Sequence, residues 1–272
     1  MQLTQVRLNE LAVDPASPTF SEDVVATIER FGVSYSPGWL SGAELERVRA
    51  EFDGAFANPD GTLEKLTDRG KDMSSRYGET TTGEHLKYDN NRELSGLLPG
   101  TQGLFNLPVL REVADGYLGR PNSLNRHIIL TNDYRAGDEI ISYHFDEIGA
   151  LKFLLYLDDV GPENGAFQAV PGSHVIGADI RKREWMRVED FNLVRIRVFE
   201  EYSEPVFYTM FGNFKPYVQA CAVPVHAPAG TLLMFDTDTI HRAGPLVAGR
   251  RRRVVRGSTY RGLWAFELPV AG

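Results

Sequence analysis

Apolar residues recur at helical spacing in the first part of the chain. Over residues 20–32 this spacing predicts an amphipathic helix that Ser21 caps and Gly32 ends. A second helix is predicted to begin with a Ser-x-x-Glu capping box at Ser41 and Glu44. Each helix has one apolar face, and we expect that face to pack on a core.

From residue 123 onward the apolar residues form short runs that are typical of strands. Turn sequences such as "RAGD", "GPENG" and "APAG" separate these runs. The runs are "RHIIL", "EIISYHFD", "ALKFLLYLDD", "GAFQAVPGSH", "CAVPVHA", "GTLLMF" and "RRRVVRGSTY". Such a series predicts a mainly β fold of the α+β type, with a β-sandwich or a closed barrel at its centre.

Two stretches depart from these patterns. Residues 60–91 are polar, rich in Gly and Thr and weakly periodic, so we expect a long excursion or lid. Residues 179–217 are charged but rich in aromatic side chains, so we expect this insertion to pack over one end of the barrel. The chain of 272 residues suits a single domain, 1–272, with a mainly helical flank and lid in 1–120 and the β core in 121–272.

The composition of the chain argues against nucleic acids and membranes as binding partners. The net charge of −8 argues against nucleic acid, because phosphate binding needs a basic surface. Cys221 is the single cysteine, so no internal disulfide can form, which favours a reducing compartment. No apolar run reaches the roughly 18 residues that a membrane span needs. We therefore expect a soluble, cytoplasmic protein that binds a small molecule and has no membrane partner.

Two candidate metal ligands lie at the mouth of a hydrophobic strand, in "YHFDEIGALKFLLYLDD". Residues two apart project to the same face of a strand, so His144 and Asp146 are expected to point together. An imidazole and a carboxylate suit iron, manganese or zinc. Taken alone, the pair is a weak signal, and a strand-end histidine beside a turn aspartate is the more common case.

A third ligand is needed for a metal site. The remaining histidines are His85, His127, His174, His226 and His241. Position along the chain favours His241, which follows the strand "GTLLMFD" and precedes a loop into a basic strand. Two histidines and one carboxylate leave about half of an octahedral shell open, which is the facial triad of non-heme Fe(II) oxygenases. His174 and His226, together with Asp236 and Asp238, are interpreted as structural.

These segments, taken together, resemble the phytanoyl-CoA dioxygenase family of Fe(II)/2-oxoglutarate-dependent oxygenases. "IERFGVSYSPGWLSGAELERVRAEFD" is similar to the opening helix, strand and helix of that family. "YHFDEIGALKFLLYLDDVGPENGAFQAVPGSH" resembles its His-x-Asp stretch, and "GTLLMFDTDTIHRAGPLVAGRRRRVVRGSTY" resembles its distal histidine segment. The resemblance implies a double-stranded β-helix, also called a jelly roll and cupin-like, with flanking N-terminal helices.

The resemblance also implies a ligand set. The family's iron ligands fall on His144, Asp146 and His241, and its 2-oxoglutarate arginine falls on Arg252. A guanidinium suits the far carboxylate of 2-oxoglutarate, because its fork donates two parallel hydrogen bonds. Alternation places Arg250, Arg252 and Arg256 on one strand face, and Arg251 and Arg253 on the other. The same basic run also fits a solvated sheet edge.

Lys152 and Tyr156 share a strand face and stand out among leucines. We expect them to line the 2-oxoglutarate pocket. The alternative is that Lys152 extends to the barrel rim and Tyr156 belongs to the core.

The implied activity is oxidation of an unactivated C–H bond of a small metabolite, most simply hydroxylation. It would use Fe(II), 2-oxoglutarate and O2 and would release succinate and CO2. An aspartate at residue 146 favours oxidation without halogenation, because related halogenases have a small residue there. Two alternatives are a metal-dependent jelly roll without redox chemistry, such as an isomerase or a small-molecule sensor, and an interaction module whose site has decayed.

Overall fold

The fold is built on two antiparallel β-sheets. The computed structural model describes residues 6–58, 76–90, 94–119, 121, 127–138, 141–146, 150–179 and 215–260. In chain order the strands are β1 (Val33–Ser36), β2 (Arg76–Glu79), β3 (Gly83–Asp89), β4 (His127–Asp133), β5 (Ile141–His144), β6 (Ala150–Tyr156), β7 (Phe167–Ala169), β8 (Val223–Pro224), β9 (Leu232–Asp236), β10 (His241–Ala243) and β11 (Arg252–Tyr260).

The strands from β4 onward wind between the two sheets. Over the described residues, the large sheet has the order β1-β9-β6-β11-β4-β3-β2, and the small sheet has the order β5-β10-β7-β8. From β4 in the large sheet the chain crosses to β5 in the small sheet and returns at β6. It then crosses to β7 and β8, returns at β9, crosses to β10 and ends in the large sheet at β11. This winding is the double-stranded β-helix, and it confirms the predicted fold class.

Among the described helices, four cover the outer face of the large sheet, and the last one, Lys215–Cys221, packs beside the small sheet. They are α1 (Phe20–Phe31), α2 (Gly42–Ala57), α3 (Pro99–Phe105), α4 (Pro108–Leu118) and α5 (Lys215–Cys221), with 3-10 turns at Leu8–Leu11 and Leu94–Gly96. Among the residues that the structure describes, no helix is long and apolar enough to cross a membrane.

The two faces of strand β6 pack into two different apolar clusters. Its odd residues, such as Phe153, belong to the apolar cluster that includes Ile28 of α1 and Phe52 of α2. Its even residues Leu154 and Tyr156 belong to a second cluster that joins the two sheets. Burying an aromatic or leucine side chain contributes about 1.5 to 3 kcal/mol, so the alternation fixes the register of the strand.

The first helix ends as predicted but begins differently. Gly32 terminates α1 in the left-handed region, with φ of 77°. The N-cap is Thr19 and not Ser21, so the predicted cap is wrong. The hydroxyls of Ser17 and Thr19 donate to Asp23 at 2.7 and 2.9 Å, and this cluster holds the first turn.

The second helix has the predicted N-cap without the predicted capping box. Ser41 is the N-cap residue of α2, but its side chain makes no capping hydrogen bond. Leu45, Val48 and Phe52 are buried along one face of the helix, as the apolar spacing predicts. Packing of that face, and not the cap, therefore positions α2.

Part of the predicted lid is a hairpin of the large sheet. Strands β2 and β3 pair with each other, and β3 pairs with β4. In β3 only Leu86 and Tyr88 carry large apolar side chains into the core, so the strand seemed polar from its sequence. Residues 60–75 and 91 of the predicted lid lie outside the described residues, as do 180–214 of the predicted insertion.

Candidate metal centre and its surroundings

The two histidines of the predicted triad are brought together by strand pairing. His144 ends β5, His241 begins β10, and the register of these antiparallel strands places the two residues opposite each other. Their ring centroids are 4.3 Å apart. Residues that are 97 positions apart in sequence therefore share one face because the small sheet pairs its first strand with its last.

Asp146 completes the cluster from the loop that follows β5. Its backbone amide donates to the carbonyl of Thr237 at 2.9 Å, which fixes the loop. One carboxylate oxygen lies 3.6 Å from Nε2 of His144, and the other lies 3.9 Å from Nε2 of His241. The three ligand atoms all lie within 4.8 Å of one another. Two imidazoles and a carboxylate at these separations fit one first-row metal ion after small movements of the side chains.

His241 is held in the form that binds a metal. Its Nδ1 lies 2.8 Å from the carbonyl oxygen of Thr239. A carbonyl oxygen only accepts hydrogen bonds, so Nδ1 carries the proton and the lone pair of Nε2 faces the cluster. The rings of Phe235 and Phe167 pack on the imidazole, with centroids 4.7 and 5.5 Å away.

Burial sets the charge of His241. Desolvation, with a further contribution from the neighbouring His144, lowers the pKa of His241 to about 3. The imidazole is therefore neutral at pH 7. A metal ion does not have to displace a proton from it.

Asp146 remains ionised beside Lys152. Burial acts to raise the pKa of Asp146, but the Lys152 ammonium and the two histidines outweigh it and hold that pKa well below its usual range. The Nζ of Lys152 lies 2.6 Å from the carboxylate. The Lys152 side chain thus points at the cluster and does not extend along the rim.

Arg252 lies inside the barrel in a buried ion pair. Its Nε and Nη2 donate to one carboxylate oxygen of Asp133 at 3.1 and 2.8 Å, and Nη1 donates to the carbonyl of Gly165. The other oxygen of Asp133 accepts from the Thr82 hydroxyl. These contacts use three of the five N–H bonds of a guanidinium and leave one on each terminal nitrogen. Arg252 is therefore oriented and still able to donate a fork.

Tyr156 has its hydroxyl bonded to the backbone. The hydroxyl accepts from the amide of Phe167 at 3.0 Å and donates to the carbonyl of Val225 at 3.4 Å. Burial raises its pKa to about 12, although Arg252 nearby acts in the opposite direction. The side chain thus connects β6 with the small sheet. These contacts are those expected of a core residue, while a role in binding 2-oxoglutarate stays a prediction.

Sequence reasoning missed several contributors to this site. Thr239 orients His241 through a backbone carbonyl, and Phe235 and Phe167 pack against it; none of these carries a recognisable sequence signal. Arg256 does carry one, since it shares the even-numbered face of β11 with Arg252. The structure places Arg256 within electrostatic reach of Asp146.

Of the residues interpreted as structural, His174 and Asp236 make structural contacts. The ring of His174 contacts the carbonyl of Glu29 at 3.2 Å, and His226 is exposed. One oxygen of Asp236 accepts from the amide of Asp238 and the other from the Tyr117 hydroxyl, so Asp236 braces the turn before His241.

Comparison with known proteins identifies the family. The model of the phytanoyl-CoA dioxygenase (PhyH) family matches residues 28–254. The chain belongs to the phytanoyl-CoA dioxygenase family. The expected membership is thus confirmed, and it makes this protein a non-heme Fe(II)/2-oxoglutarate-type enzyme. No curated protein matches the sequence.

Several solved structures share the fold of this chain at low sequence identity. The non-heme alpha-ketoglutarate-dependent epimerase SnoN from nogalamycin biosynthesis is 19% identical, with a TM-score of 0.57 over 94% of this chain and 92% of that chain. The carbocyclase SnoK from the same biosynthesis is 19% identical, with a TM-score of 0.57 over 90% and 87%. EctD from S. alaskensis with bound Fe is 16% identical, with a TM-score of 0.59 over 91% and 77%.

Proposed function

We propose that this protein is an Fe(II)- and 2-oxoglutarate-dependent oxygenase that hydroxylates an unactivated C–H bond of a small metabolite, such as a natural-product or glycan intermediate. One observation carries the proposal: His144, Asp146 and His241 converge, with His241 neutral and Asp146 ionised. This donor set suits Fe(II) and leaves coordination positions for other ligands.

His144, Asp146 and His241 would hold the metal. When bound, Fe(II) with 2-oxoglutarate and O2 supplies the oxidation of a C–H bond to an alcohol, with 2-oxoglutarate converted to succinate and CO2. The carbonyl of Thr239 keeps Nε2 of His241 aimed at the cluster. Phe235 and Phe167 exclude water from one side of that imidazole.

Arg252 would bind the far carboxylate of 2-oxoglutarate. Its guanidinium is pinned by Asp133 and Gly165, and its two remaining N–H bonds lie on the terminal nitrogens. A pre-oriented fork loses less conformational entropy when it binds a carboxylate than a mobile lysine would. Asp133 thus acts as the residue that positions Arg252.

Lys152 and Tyr156 complete the proposed cosubstrate pocket. The Lys152 ammonium forms an ion pair with Asp146 and thereby offsets the negative charge that the keto acid end of 2-oxoglutarate would meet there. Tyr156 lies beside Arg252 and limits the depth of the barrel. Its role is to shape the pocket, since its hydroxyl is already bonded to the backbone.

The test is a spectroscopic titration without oxygen. Fe(II) and 2-oxoglutarate added to the protein are expected to give a weak visible charge-transfer band, and O2 is then expected to yield succinate. The His241→Ala variant should lose both signals, whereas Arg250→Gln, a change at an exposed ion pair with Glu163, should retain them. Absence of the band from metal-loaded wild-type protein would contradict the proposal.

Succinate formation separates the redox proposal from a metal-dependent jelly roll without redox chemistry. A protein of that second kind would bind metal through the same residues, but would not convert 2-oxoglutarate. SnoN is an epimerase and SnoK a carbocyclase, so the organic product has to be analysed in addition to measuring succinate. Incorporation of one oxygen atom from O2 into the product would support hydroxylation.

A further inference from the structure

Strand β11 places two arginines on the inner face of the barrel, four residues apart. Arg252 pairs across the sheet with Asp133 of β4, and Arg256 lies opposite Leu154 of β6. Val254, between them, is buried in the cluster that joins the two sheets. Because strand residues alternate between faces, both guanidinium groups start from the interior side of the large sheet.

The two arginines differ in how their charge is balanced. Arg252 has a carboxylate within 2.8 Å. The Arg256 side chain is partly buried, and its Nε is buried without a hydrogen-bond partner among the residues that the structure describes. Arg256 is attracted by Asp146 and Asp133 and repelled by Arg252, but it forms no salt bridge with a described carboxylate.

Burial of an unpaired guanidinium, even in part, lowers the free energy of unfolding. Burial lowers the pKa of the Arg256 guanidinium, yet an arginine keeps its proton in a protein. A buried charge without a paired anion destabilises the fold, and it persists where a ligand supplies the anion. Asp146 does not supply it, because Lys152 lies 2.6 Å from that carboxylate.

We propose that Arg256 binds a carboxylate of the substrate beside the metal centre, so that the substrate is a carboxylic acid. This inference rests on the proposed oxygenase function and names the chemical class on which it acts. A guanidinium fork matches a carboxylate in a bidentate geometry, and the bond would fix the distance between the carboxylate and the C–H bond that reacts.

The two arginines serve two separate anions. Four strand residues separate their Cα atoms by about 13 Å, and Arg252 is pinned at its own level by Asp133 and Gly165. A single carboxylate is too small to receive forks from both. If Arg252 binds 2-oxoglutarate, Arg256, which is within electrostatic reach of Asp146, is available for the substrate.

The first experiment measures carboxylate binding on the metal-free, full-length protein. Acetate, butyrate and benzoate are compared with the corresponding neutral amides by ligand-observed NMR. Saturable binding of at least one acid, without binding of its amide, is expected for the wild type. The Arg256→Gln variant should bind that acid at least about tenfold more weakly, whereas Arg250→Gln should stay within about twofold of the wild type. Absence of binding by all three acids, or equal binding by Arg256→Gln, overturns the proposal.

Folding of the variant is checked by circular dichroism, and Arg256→Lys provides a second test. The lysine keeps the charge but cannot donate a bidentate fork, so we expect acid binding between that of the wild type and that of Arg256→Gln. Wild-type affinity in Arg256→Lys together with wild-type affinity in Arg256→Gln would show that the side chain does not contact the acid.

A second experiment distinguishes a substrate carboxylate from the carboxylate of 2-oxoglutarate. With Zn(II) and saturating 2-oxoglutarate, the acid is expected to bind as before, and Arg256→Gln is expected to change 2-oxoglutarate affinity by less than about threefold. Displacement of the acid by 2-oxoglutarate, or a tenfold loss of 2-oxoglutarate affinity in the variant, would assign Arg256 to the cosubstrate and overturn the proposal. Acid binding to metal-free protein does not depend on iron, so failure of the proposed oxygenase function would be seen separately, as a missing charge-transfer band.

Discussion

The charge state of a few side chains decides what this barrel can bind. Asp146 keeps its charge because Lys152 is next to it, and His241 stays neutral because it is buried between aromatic rings. Arg252 and Arg256 stand on one strand face, but only Arg252 has a carboxylate partner among the described residues. Because the two arginines differ in pairing, we expect their removal to have different effects on the stability of the protein.

Removal of Arg252 should destabilise the protein, whereas removal of Arg256 should not. Arg252→Met leaves Asp133 buried without its cation, and we expect a loss of about 3 to 5 kcal/mol in the free energy of unfolding. Arg256→Met removes a partly buried cation that lacks a close anion among the described residues, so the ligand-free variant should be as stable as the wild type or more stable by about 1 kcal/mol. Urea unfolding of both variants measures the contrast, and a loss of several kcal/mol in Arg256→Met would contradict this description of Arg256.

The metal-free protein should become less stable as the pH falls. His241 has a pKa of about 3 when folded and an ordinary value of 6.5, so the unfolded chain takes up this proton first. The contribution to stability is complete above pH 6.5 and is lost between pH 6.5 and 3, by up to about 1.4 kcal/mol per pH unit. The lowered pKa of Asp146 acts in the same direction at the acid end.

Replacing His241 tests this pH dependence. The His241→Asn variant should show a flatter plot of unfolding free energy against pH between 6.5 and 4 than the wild type. His226→Asn, a change at an exposed histidine, should leave the slope as it is. Equal slopes in wild type and His241→Asn would show that the buried imidazole does not carry the effect.

Strand β11 illustrates how one element serves both the site and the scaffold. Its inward residues Arg252 and Arg256 face the barrel, while Arg251 and Arg253 on the outer face both contact Asp53 of α2. Arg253 also pairs with Asp158 at the end of β6. The predicted alternation thus holds within β11 for Arg252, Arg253 and Arg256, but it is wrong for Arg250, which precedes the strand and is exposed in an ion pair with Glu163.

Helix α3 depends on a carboxylate from α2. Glu51 accepts from the amides of Gly100 and Thr101 and from the Thr101 hydroxyl, at 2.7 to 2.8 Å. It therefore caps the amino end of α3 in place of a local side chain. Glu51→Ala should lower the free energy of unfolding by about 1 to 2 kcal/mol. Glu44→Ala, an exposed change at the start of α2, is the matched control with an expected effect below about 0.5 kcal/mol, and equal losses in the two variants would exclude the capping role.

The side chains that face the barrel interior could be predicted from the sequence, but the pairs that they form across strands could not. Period-two alternation correctly placed Arg252 with Arg256, because parity is a local property of a strand. His144 and Asp146 do lie together as predicted, but Asp146 is held there by the loop after β5 and its hydrogen bond to Thr237. Alternation could not predict that Asp133 pairs with Arg252, 119 positions away, since this requires the register between β4 and β11. The hairpin of β2 and β3 was missed for a similar reason, because pairing with β4 stabilises a stretch whose own sequence is mainly polar.

At the scale of the whole molecule, the candidate metal site lies at the ends of strands of the double-stranded β-helix. His144, Asp146 and His241 come from β5, the loop after it and β10, so the site exists only when the small sheet is formed. Family membership over residues 28–254 and the shared fold of SnoN, SnoK and EctD agree with this architecture. We therefore expect metal binding to stabilise the folded chain by linkage.

Anaerobic measurement of Fe(II) stoichiometry tests the central claim most directly. We predict that the wild type binds about one Fe(II) per chain, and that His144→Ala, Asp146→Ala and His241→Ala each reduce occupancy strongly at the same free metal concentration. His226→Ala should bind as the wild type does. Full occupancy in His241→Ala would contradict the claim that these three side chains hold one metal ion.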